Sequence, residues 1–261
     1  MRGVKSICDD TRAEHADLDL VVAGLDEDGW STPTPAEGWA VRDQISHLWF
    51  FDQRALMALT DPDEFAADMQ RLLAGGGTDL SVAPGRAMSG ADLLASWRLD
   101  RERLLKVAAQ VDPSARVPWY GPAMGARSFI TARLMETWAH GQDVADALGA
   151  HREPTARLKH VAHIGVRARP FSYLINRMEM PDVPIHVVLD APDGSQWAWG
   201  EPSPDTVRGP ALDFCLVVTQ RRHPADTSLV VEGPAATEWI SIAQAFAGDA
   251  GSGRQPGQFP R

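Results

Sequence analysis

Four long segments in the first 150 residues repeat apolar side chains at the spacing of one helix face, and this pattern constrains the fold more than any other feature of the chain. The segments run over residues 10–27, 41–60, 90–110 and 127–148, with stretches rich in Pro or Gly between them. A helix with one apolar stripe must bury that stripe against a neighbour. The spacing therefore predicts that the first half of the chain forms a four-helix bundle.

Residues at the segment boundaries support these helices. Ser89 followed by Asp92 is typical of a helix N-terminus, and Asp43 suits the positive end of the second helix. Gly149 is suited to end the fourth helix. Residues 74–90, which are rich in Gly and contain a Pro-Gly pair, are predicted to be a flexible connection.

The pattern changes after His151. The predicted elements there are helices over 155–178, 210–220 and 235–247, and strands over 185–189, 196–199 and 228–231. An Asp-Gly turn at 193–194 is expected to join the first two strands. We therefore predict an α+β fold, with the bundle at 1–150, a smaller α+β domain at 151–250 and a disordered tail at 251–261.

Charge and composition exclude several classes of protein. A net charge of −10 argues against a nucleic-acid partner, which requires a concentrated basic surface. The apolar stretch near the N-terminus is broken by Asp17, Asp19 and Asp26, so neither a signal peptide nor a membrane span is expected. Cys8 and Cys215 are too few for a disulfide framework. We expect a cytoplasmic protein without a membrane partner, as a monomer or a homodimer.

The fourth predicted helix carries three chemically active side chains on one face. Glu136, His140 and Asp143 stand at positions i, i+4 and i+7. Burying such groups in a bundle is costly unless a partner satisfies them. His47, in an apolar stretch of the second helix, could face them. Because imidazole and carboxylate are zinc ligands, the residues suggest a divalent-metal site, best fitted by zinc.

The same residues also permit a purely structural interpretation. A single His on an apolar helix is more often a hydrogen-bonded core residue than a metal ligand. A Glu-x-x-x-His pair is common on exposed helices, and the more specific His-Glu-x-x-His pattern is absent from the chain. Spacing alone leaves both interpretations open.

Two segments resemble a known family. The stretch Thr34-Pro-Ala-Glu-Gly-Trp-Ala-Val-Arg-Asp-Gln-Ile-Ser-His-Leu48 and the stretch Ala132-Arg-Leu-Met-Glu-Thr-Trp-Ala-His-Gly-Gln-Asp143 are similar to the mycothiol-dependent maleylpyruvate isomerase family. That family belongs to the DinB-like metal-binding superfamily, and the resemblance is strongest to an uncharacterised actinobacterial subgroup. It implies a DinB-like four-helix bundle with a bound divalent ion, usually zinc. The ligands that it implies are His47, Glu136 and His140.

The resemblance also implies roles for residues outside this ligand set. Asp143 matches a family Asp that follows the ligand His and supports it. The second half resembles the family's second domain more loosely, through residues 209–221, and places a catalytic Arg at Arg221. Ala40 departs from the family, which has a Ser or Thr cap there.

The function that the resemblance implies is that of a metal-dependent enzyme with mycothiol as its cosubstrate. The enzyme would isomerise a small electrophilic substrate or transfer the thiol to it. Two other functions remain open. The same three ligands would suffice for a hydrolase that activates water, and a non-enzymatic metal-binding or ligand-binding protein would also need them.

Overall fold

The computed structural model describes residues 3–75 and 79–259, and it divides the chain into two compact units. The first unit is Met1–Arg152 and the second is Glu153–Arg261. Helices dominate the described part of the first unit, whereas the second contains a four-stranded sheet and shorter helices. The predicted α+β class is therefore confirmed.

Long helices form the first unit around α3. Its elements are α1 (Val4–Val22), α2 (Glu27–Trp30), α3 (Val41–Thr60), α4 (Pro62–Gly75), α5 (Asp79–Arg86), α6 (Gly90–Ala108), β1 (Arg116–Val117), β2 (Met124–Gly125) and α7 (Ala126–Leu148). Helix α3 packs against α4, α5, α6 and α7, while α1 packs against α6 and α7. The apolar stripes of α1, α3 and α6 meet in one buried cluster that includes Leu18, Ile45 and Trp97. Val144 of α7 belongs to the same cluster, so its burial places α7 beside α3.

The helix ends follow the boundary residues closely. The Ser89 hydroxyl accepts a hydrogen bond from the Asp92 backbone N–H at 3.1 Å, as an N-cap does. Gly149 ends α7 in the left-handed conformation, with φ 61°. Ala40 has no side chain that could cap α3, but its own N–H donates to the Asp43 carboxylate at 2.9 Å. Asp43 therefore supplies part of the cap that Ala40 lacks.

Two predictions for the first unit were wrong. The first helix runs over Val4–Val22 rather than 10–27. The segment 74–90 is not a loop, because α5 lies within it; residues 76–78 lie outside the described residues. Gly85 explains the close approach of α5 to α3, since an added Cβ there would lie 2.4 Å from the Ser46 Cβ. Gly85, which by itself predicts a loop, is required here for the packing of α5 against α3.

The described residues of the second unit form a short 3-10 helix (Pro224–Asp226), four α-helices and four strands. The α-helices and strands are α8 (Leu158–Arg167), α9 (Arg169–Ile175), β3 (His186–Asp190), β4 (Gln196–Trp199), β5 (Thr206–Pro210), α10 (Ala211–Val218), β6 (Val230–Glu232) and α11 (Pro234–Ile242). The strand order is β4-β3-β5-β6, and only the β3–β5 pair is parallel. Helix α10 packs against α8 and against β3 and β5.

The β3–β4 hairpin forms around Gly194, as its sequence predicts, but other elements differ. The helix predicted over 155–178 is divided at Ala168 into α8 and α9. Disorder of the tail stays a prediction, and in its described part, 251–259, the Gly257 N–H donates to Asp226 at 2.9 Å. Residues 260–261 lie outside the described residues.

Within the described part of the chain, none of the helices combines the length and the apolar character needed to cross a membrane.

Candidate metal centre

Helices α3 and α7 bring three potential ligands together. His47 lies on α3, and Glu136 and His140 lie one turn apart on α7. Each side chain offers one ligand atom, and these atoms all lie within 4.8 Å of one another. Nε2 of His140 is 3.3 Å from Oε2 of Glu136. Among the described residues this is the only such group of His, Cys, Asp and Glu side chains, and each of its members is partly exposed.

A buried ion pair fixes the two helices beside the ligands. Nε and Nη2 of Arg133 on α7 donate to the same carboxylate oxygen of Asp52 on α3, at 3.1 and 3.0 Å. The indole N–H of Trp97 donates to the other oxygen of Asp52 at 3.1 Å. Arg133 precedes Glu136 by three residues, so this pair holds α3 and α7 together within one turn of the candidate site.

Gln44 orients the His140 ring. Nδ1 of His140 lies 2.6 Å from Oε1 of Gln44, and Nε2 of Gln44 donates to the Thr34 hydroxyl at 2.9 Å. The Thr34 hydroxyl in turn donates to the Trp39 carbonyl. Because this chain turns the amide oxygen toward His140, Nδ1 carries the proton. Nε2 faces Glu136, to which the protonated ring donates, and it is the nitrogen that would bind a metal ion after losing that proton.

Ser81 holds the His47 ring in a similar way. Nδ1 of His47 lies 2.9 Å from the Ser81 hydroxyl on α5. The neighbouring Ser46 fixes α5 itself, since its hydroxyl donates to the Ser81 carbonyl at 2.8 Å and accepts from the Gly85 N–H at 3.0 Å. Because Nδ1 of His47 is occupied by this contact, Nε2 is the nitrogen available to a metal ion.

Glu136 is held in its charged form. Burial by itself raises the pKa of Glu136, but the hydrogen bond with His140 and the positive charges of His140, Arg133 and His47 outweigh this effect. The resulting pKa is about 2. Glu136 is therefore a carboxylate at neutral pH, which is the form that binds a divalent cation.

Aromatic rings border both imidazoles. The Trp39 indole stacks on His140 with ring centroids 6.0 Å apart and an interplanar angle of 15°, and it lies 5.1 Å from the His47 ring. Phe51 approaches His47 from one turn along α3, with centroids 4.7 Å apart. The environment of the ligands thus combines a fixed polar side, built by Gln44 and Ser81, with an aromatic side.

The other residues singled out by the sequence lie in different surroundings. Asp143 is buried on α7, with 1% of its surface exposed. Arg221 follows α10 in the second unit, where its Nη1 donates to the Thr219 carbonyl at 2.6 Å. That hydrogen bond satisfies a backbone carbonyl just after α10 and involves no candidate ligand. A catalytic role for Arg221 therefore stays a prediction.

Sequence reasoning did not identify Gln44 or Ser81. Gln44 appears in the sequence only as one polar residue on a largely apolar helix, and Ser81 lies in a segment whose Gly and Pro residues predict a loop. Their roles depend on contacts across helices, for which the sequence carries no periodic signal. The donor set nevertheless suits zinc, since two imidazoles with fixed Nδ1 partners and one carboxylate leave a fourth position open.

Comparisons with known proteins identify the family of this chain. Residues 11–145 match the family described as the mycothiol maleylpyruvate isomerase N-terminal domain. Two Mycobacterium tuberculosis proteins, from strains CDC 1551 / Oshkosh and ATCC 25618 / H37Rv, are each 46% identical to this chain over 248 residues. The match covers 94% of this chain and 96% of each relative, and both relatives are described as uncharacterized.

Solved structures show a similar fold. The crystal structure of the mycothiol-dependent maleylpyruvate isomerase superimposes with a TM-score of 0.58 at 16% identity. A histidine-to-alanine mutant of that enzyme gives 0.59 at 14% identity. Each comparison covers 90% of this chain and 96% of the other. At this level of identity the likeness establishes the fold.

Proposed function

This chain belongs to the mycothiol maleylpyruvate isomerase family, and from that membership we propose that it is a zinc-dependent enzyme with mycothiol as its cosubstrate. The enzyme would isomerise a small electrophilic substrate or transfer the thiol to it. The observation that carries the proposal is the meeting of His47, Glu136 and His140 with both Nδ1 atoms already hydrogen-bonded. Such an arrangement supports a catalytic metal rather than a packed core histidine.

Zinc held by these three side chains would offer its open position to a thiol sulfur and lower the pKa of that thiol, so that thiolate is available near neutral pH. The protein side chains would orient the ligands, contribute charge and limit the access of water. Gln44 and Ser81 keep the two imidazole rings in one tautomer and orientation. Glu136 contributes a negative charge. Trp39 and Phe51 cover the imidazole faces and reduce the access of water.

The reaction that follows is a conjugate addition. The thiolate sulfur forms a bond to one carbon of a conjugated C=C, and the electron pair of that double bond moves onto the conjugated carbonyl oxygen. Rotation occurs about the resulting single bond. The electron pair then returns, the C–S bond breaks, and the thiol leaves unchanged with the isomerised product. In a transfer reaction the adduct instead accepts a proton and is released.

Asp143 and Arg221 belong to the proposal in different roles: Asp143 supports the ligand His140, and Arg221 is the catalytic Arg that would hold an anionic group of the substrate or the thiol. We expect Asp143→Asn to weaken metal affinity by about 10- to 100-fold, as loss of a group that supports a ligand does. Metal-competition titration measures this effect, and wild-type affinity would remove Asp143 from the site. We expect Arg221→Lys, which retains a donor for the Thr219 carbonyl, to lower kcat/KM without changing metal content.

Cobalt substitution tests the thiol role directly. Cobalt in place of zinc should give a thiolate-to-metal charge-transfer band when mycothiol is added, because thiolate is a strong soft donor. The band should be absent in His140→Ala. If millimolar mycothiol leaves the cobalt spectrum unchanged, the thiol role is wrong. Ester hydrolysis by the same protein without thiol would then favour the hydrolase, and the lack of both activities would favour a metal-binding protein.

A further inference from the structure

The aromatic side of the candidate site extends well beyond the two imidazoles. Trp39 and Phe51 contact the ligand rings directly. Trp119 and Tyr120, in the loop between β1 and β2, continue the same aromatic surface: their ring centroids lie 6.3 and 5.7 Å from that of Phe51. All four side chains are partly exposed. We call these four residues the aromatic wall.

The wall is supported from behind by buried rings. Phe65 on α4 stacks on Trp119 with centroids 5.4 Å apart and an interplanar angle of 4°. Phe129 on α7 meets the same indole edge to face at 5.1 Å. Both supporting side chains are about 1% exposed or less. A surface whose rings are packed in this way is already formed before a ligand arrives, so little conformational entropy is lost on binding.

The two arginines whose charges act on Tyr120 of the wall, Arg54 and Arg133, are each paired with a carboxylate. Arg133 is bonded to Asp52 and is buried. Arg54 packs over the Phe50 ring, with its carbon Cζ 3.3 Å from the ring centroid, and its Nε lies 2.9 Å from the Asp68 carboxylate. Burial outweighs the nearby positive charge of Arg54 and raises the pKa of Tyr120 to about 12, so the wall is uncharged at neutral pH.

These observations indicate that the first unit recognises an aromatic ring of the substrate rather than a carboxylate of the substrate. We propose that the electrophile is an uncharged molecule whose reactive double bond is conjugated with an aromatic ring, and that this ring packs against Trp39 and Phe51 beside the imidazoles. The proposal rests on the proposed function, and it narrows the substrate class to aryl-conjugated enones and enals.

Binding of an unreactive pair of ketones tests the ring contact without metal or thiol chemistry. Benzylacetone carries the phenyl group, and methyl propyl ketone lacks it. Titrated into the full-length protein by ligand-observed NMR, benzylacetone should bind about 10-fold more tightly than methyl propyl ketone. Trp39→Leu and Phe51→Leu should each weaken benzylacetone binding by about 3- to 10-fold, and Trp39→Phe should restore most of it.

Trp49→Leu is the matched control. Trp49 lies on the same helix as His47, but its indole N–H donates to Asp100 on α6, away from the wall. The variant should therefore lose some stability while binding benzylacetone as the wild type does. If it also weakens binding, general destabilisation explains the Trp39 result and the proposal fails.

A reactive pair extends the test to catalysis. With mycothiol present, kcat/KM for benzylideneacetone should exceed that for ethylideneacetone after each is divided by its uncatalysed rate of thiol addition, and Trp39→Leu should abolish the preference. Equal binding of the two unreactive ketones, or tighter binding of maleate than of benzylacetone, would overturn the inference. A cobalt–thiol band without an aryl preference rejects only this inference. Ring-dependent binding without any thiol chemistry rejects only the proposed function.

Discussion

Two buried glutamines, one in each unit, show how differently the two halves of this protein use polar side chains. Gln44 is fully buried on α3 and bonds two side chains, His140 and Thr34. Gln244 is 1% exposed and bonds mainly backbone: its Nε2 donates to the carbonyls of Phe246 and Asp249, and its Oε1 accepts from the Gly251 N–H. The two glutamines are therefore equally buried, but Gln44 bonds side chains and Gln244 bonds mainly backbone.

The lengths of the helices also differ between the two units. Every helix leaves unpaired N–H groups at its start and C=O groups at its end, so short helices expose a larger share of unpaired backbone. In the second unit, Asp205 accepts from the Ala236 N–H near the start of α11, and Arg221 donates near the end of α10. In the first unit the helices are longer, and the buried side chains of Gln44 and Asp52 bond side chains on other helices. Such contacts between helices are what a catalytic site requires.

The largest difference between the units should be the loss in the free energy of unfolding when a buried Asp is replaced by Ala. Asp52→Ala leaves Arg133 buried without its carboxylate, and we expect a loss of about 3–5 kcal/mol in the free energy of unfolding. Asp205→Ala removes a bond to one backbone N–H and should cost about 1–2 kcal/mol. Urea unfolding measures both. An Asp52→Leu, Arg133→Met double variant should recover much of the first loss, and similar costs for the two single variants would contradict the comparison.

The two glutamines themselves give the next effect. Gln44→Ala frees the His140 ring, and we expect metal affinity to fall by about 10- to 100-fold. Gln244→Ala should leave metal affinity unchanged but lower the free energy of unfolding by about 1–3 kcal/mol, because buried backbone groups lose their partner. Competition titration with a chelator and urea unfolding measure the two quantities. A Gln44 variant with wild-type affinity would show that the His140 contact has no role in metal binding.

The smallest effect concerns acid stability. The hydrogen bond from Arg98 outweighs burial and, together with that from Arg101, lowers the pKa of Asp19, which joins α1 to α6. A folded pKa below the unfolded value means that this contribution to stability is complete above about pH 4 and is lost as the pH falls through the folded pKa. Asp19→Asn should flatten the decrease in stability below pH 4, and Arg98→Gln should do the same. Unchanged acid unfolding curves would contradict this assignment.

The sequence predicted α3 and α7 well because both have strong apolar periodicity and clear boundary residues such as Asp43 and Gly149. It failed where local signals and tertiary packing disagree. Helix α5 contains Pro84 and Gly85, which indicate a loop, yet Ser46 anchors it against α3. The sequence of strand β5 shows neither alternation of apolar and polar residues nor an apolar run, so it did not predict a strand. The strand is defined by its pairing with β3 and β6 on either side.

The candidate ligands could be found from the sequence, but their surroundings could not. Glu136 and His140 lie one turn apart on α7, so local spacing indicates them, and His47 is indicated by its place on an apolar helix that could face them and by the resemblance. Gln44 and Ser81 reach the imidazoles from other helices, across 96 and 34 residues of chain. The Trp39 stack on His140 likewise depends on the loop before α3 folding over α7. No pattern along one segment records such contacts.

The central claim is that His47, Glu136 and His140 hold a divalent ion, and zinc K-edge X-ray absorption with elemental analysis tests it most directly. The full-length protein, purified without added metal, should contain about one divalent ion per chain, with nitrogen and oxygen neighbours at about 2.0–2.2 Å and no sulfur. His47→Ala and His140→Ala should each lose most of that metal. Unchanged metal content in both variants, or sulfur among the protein ligands, would contradict the account.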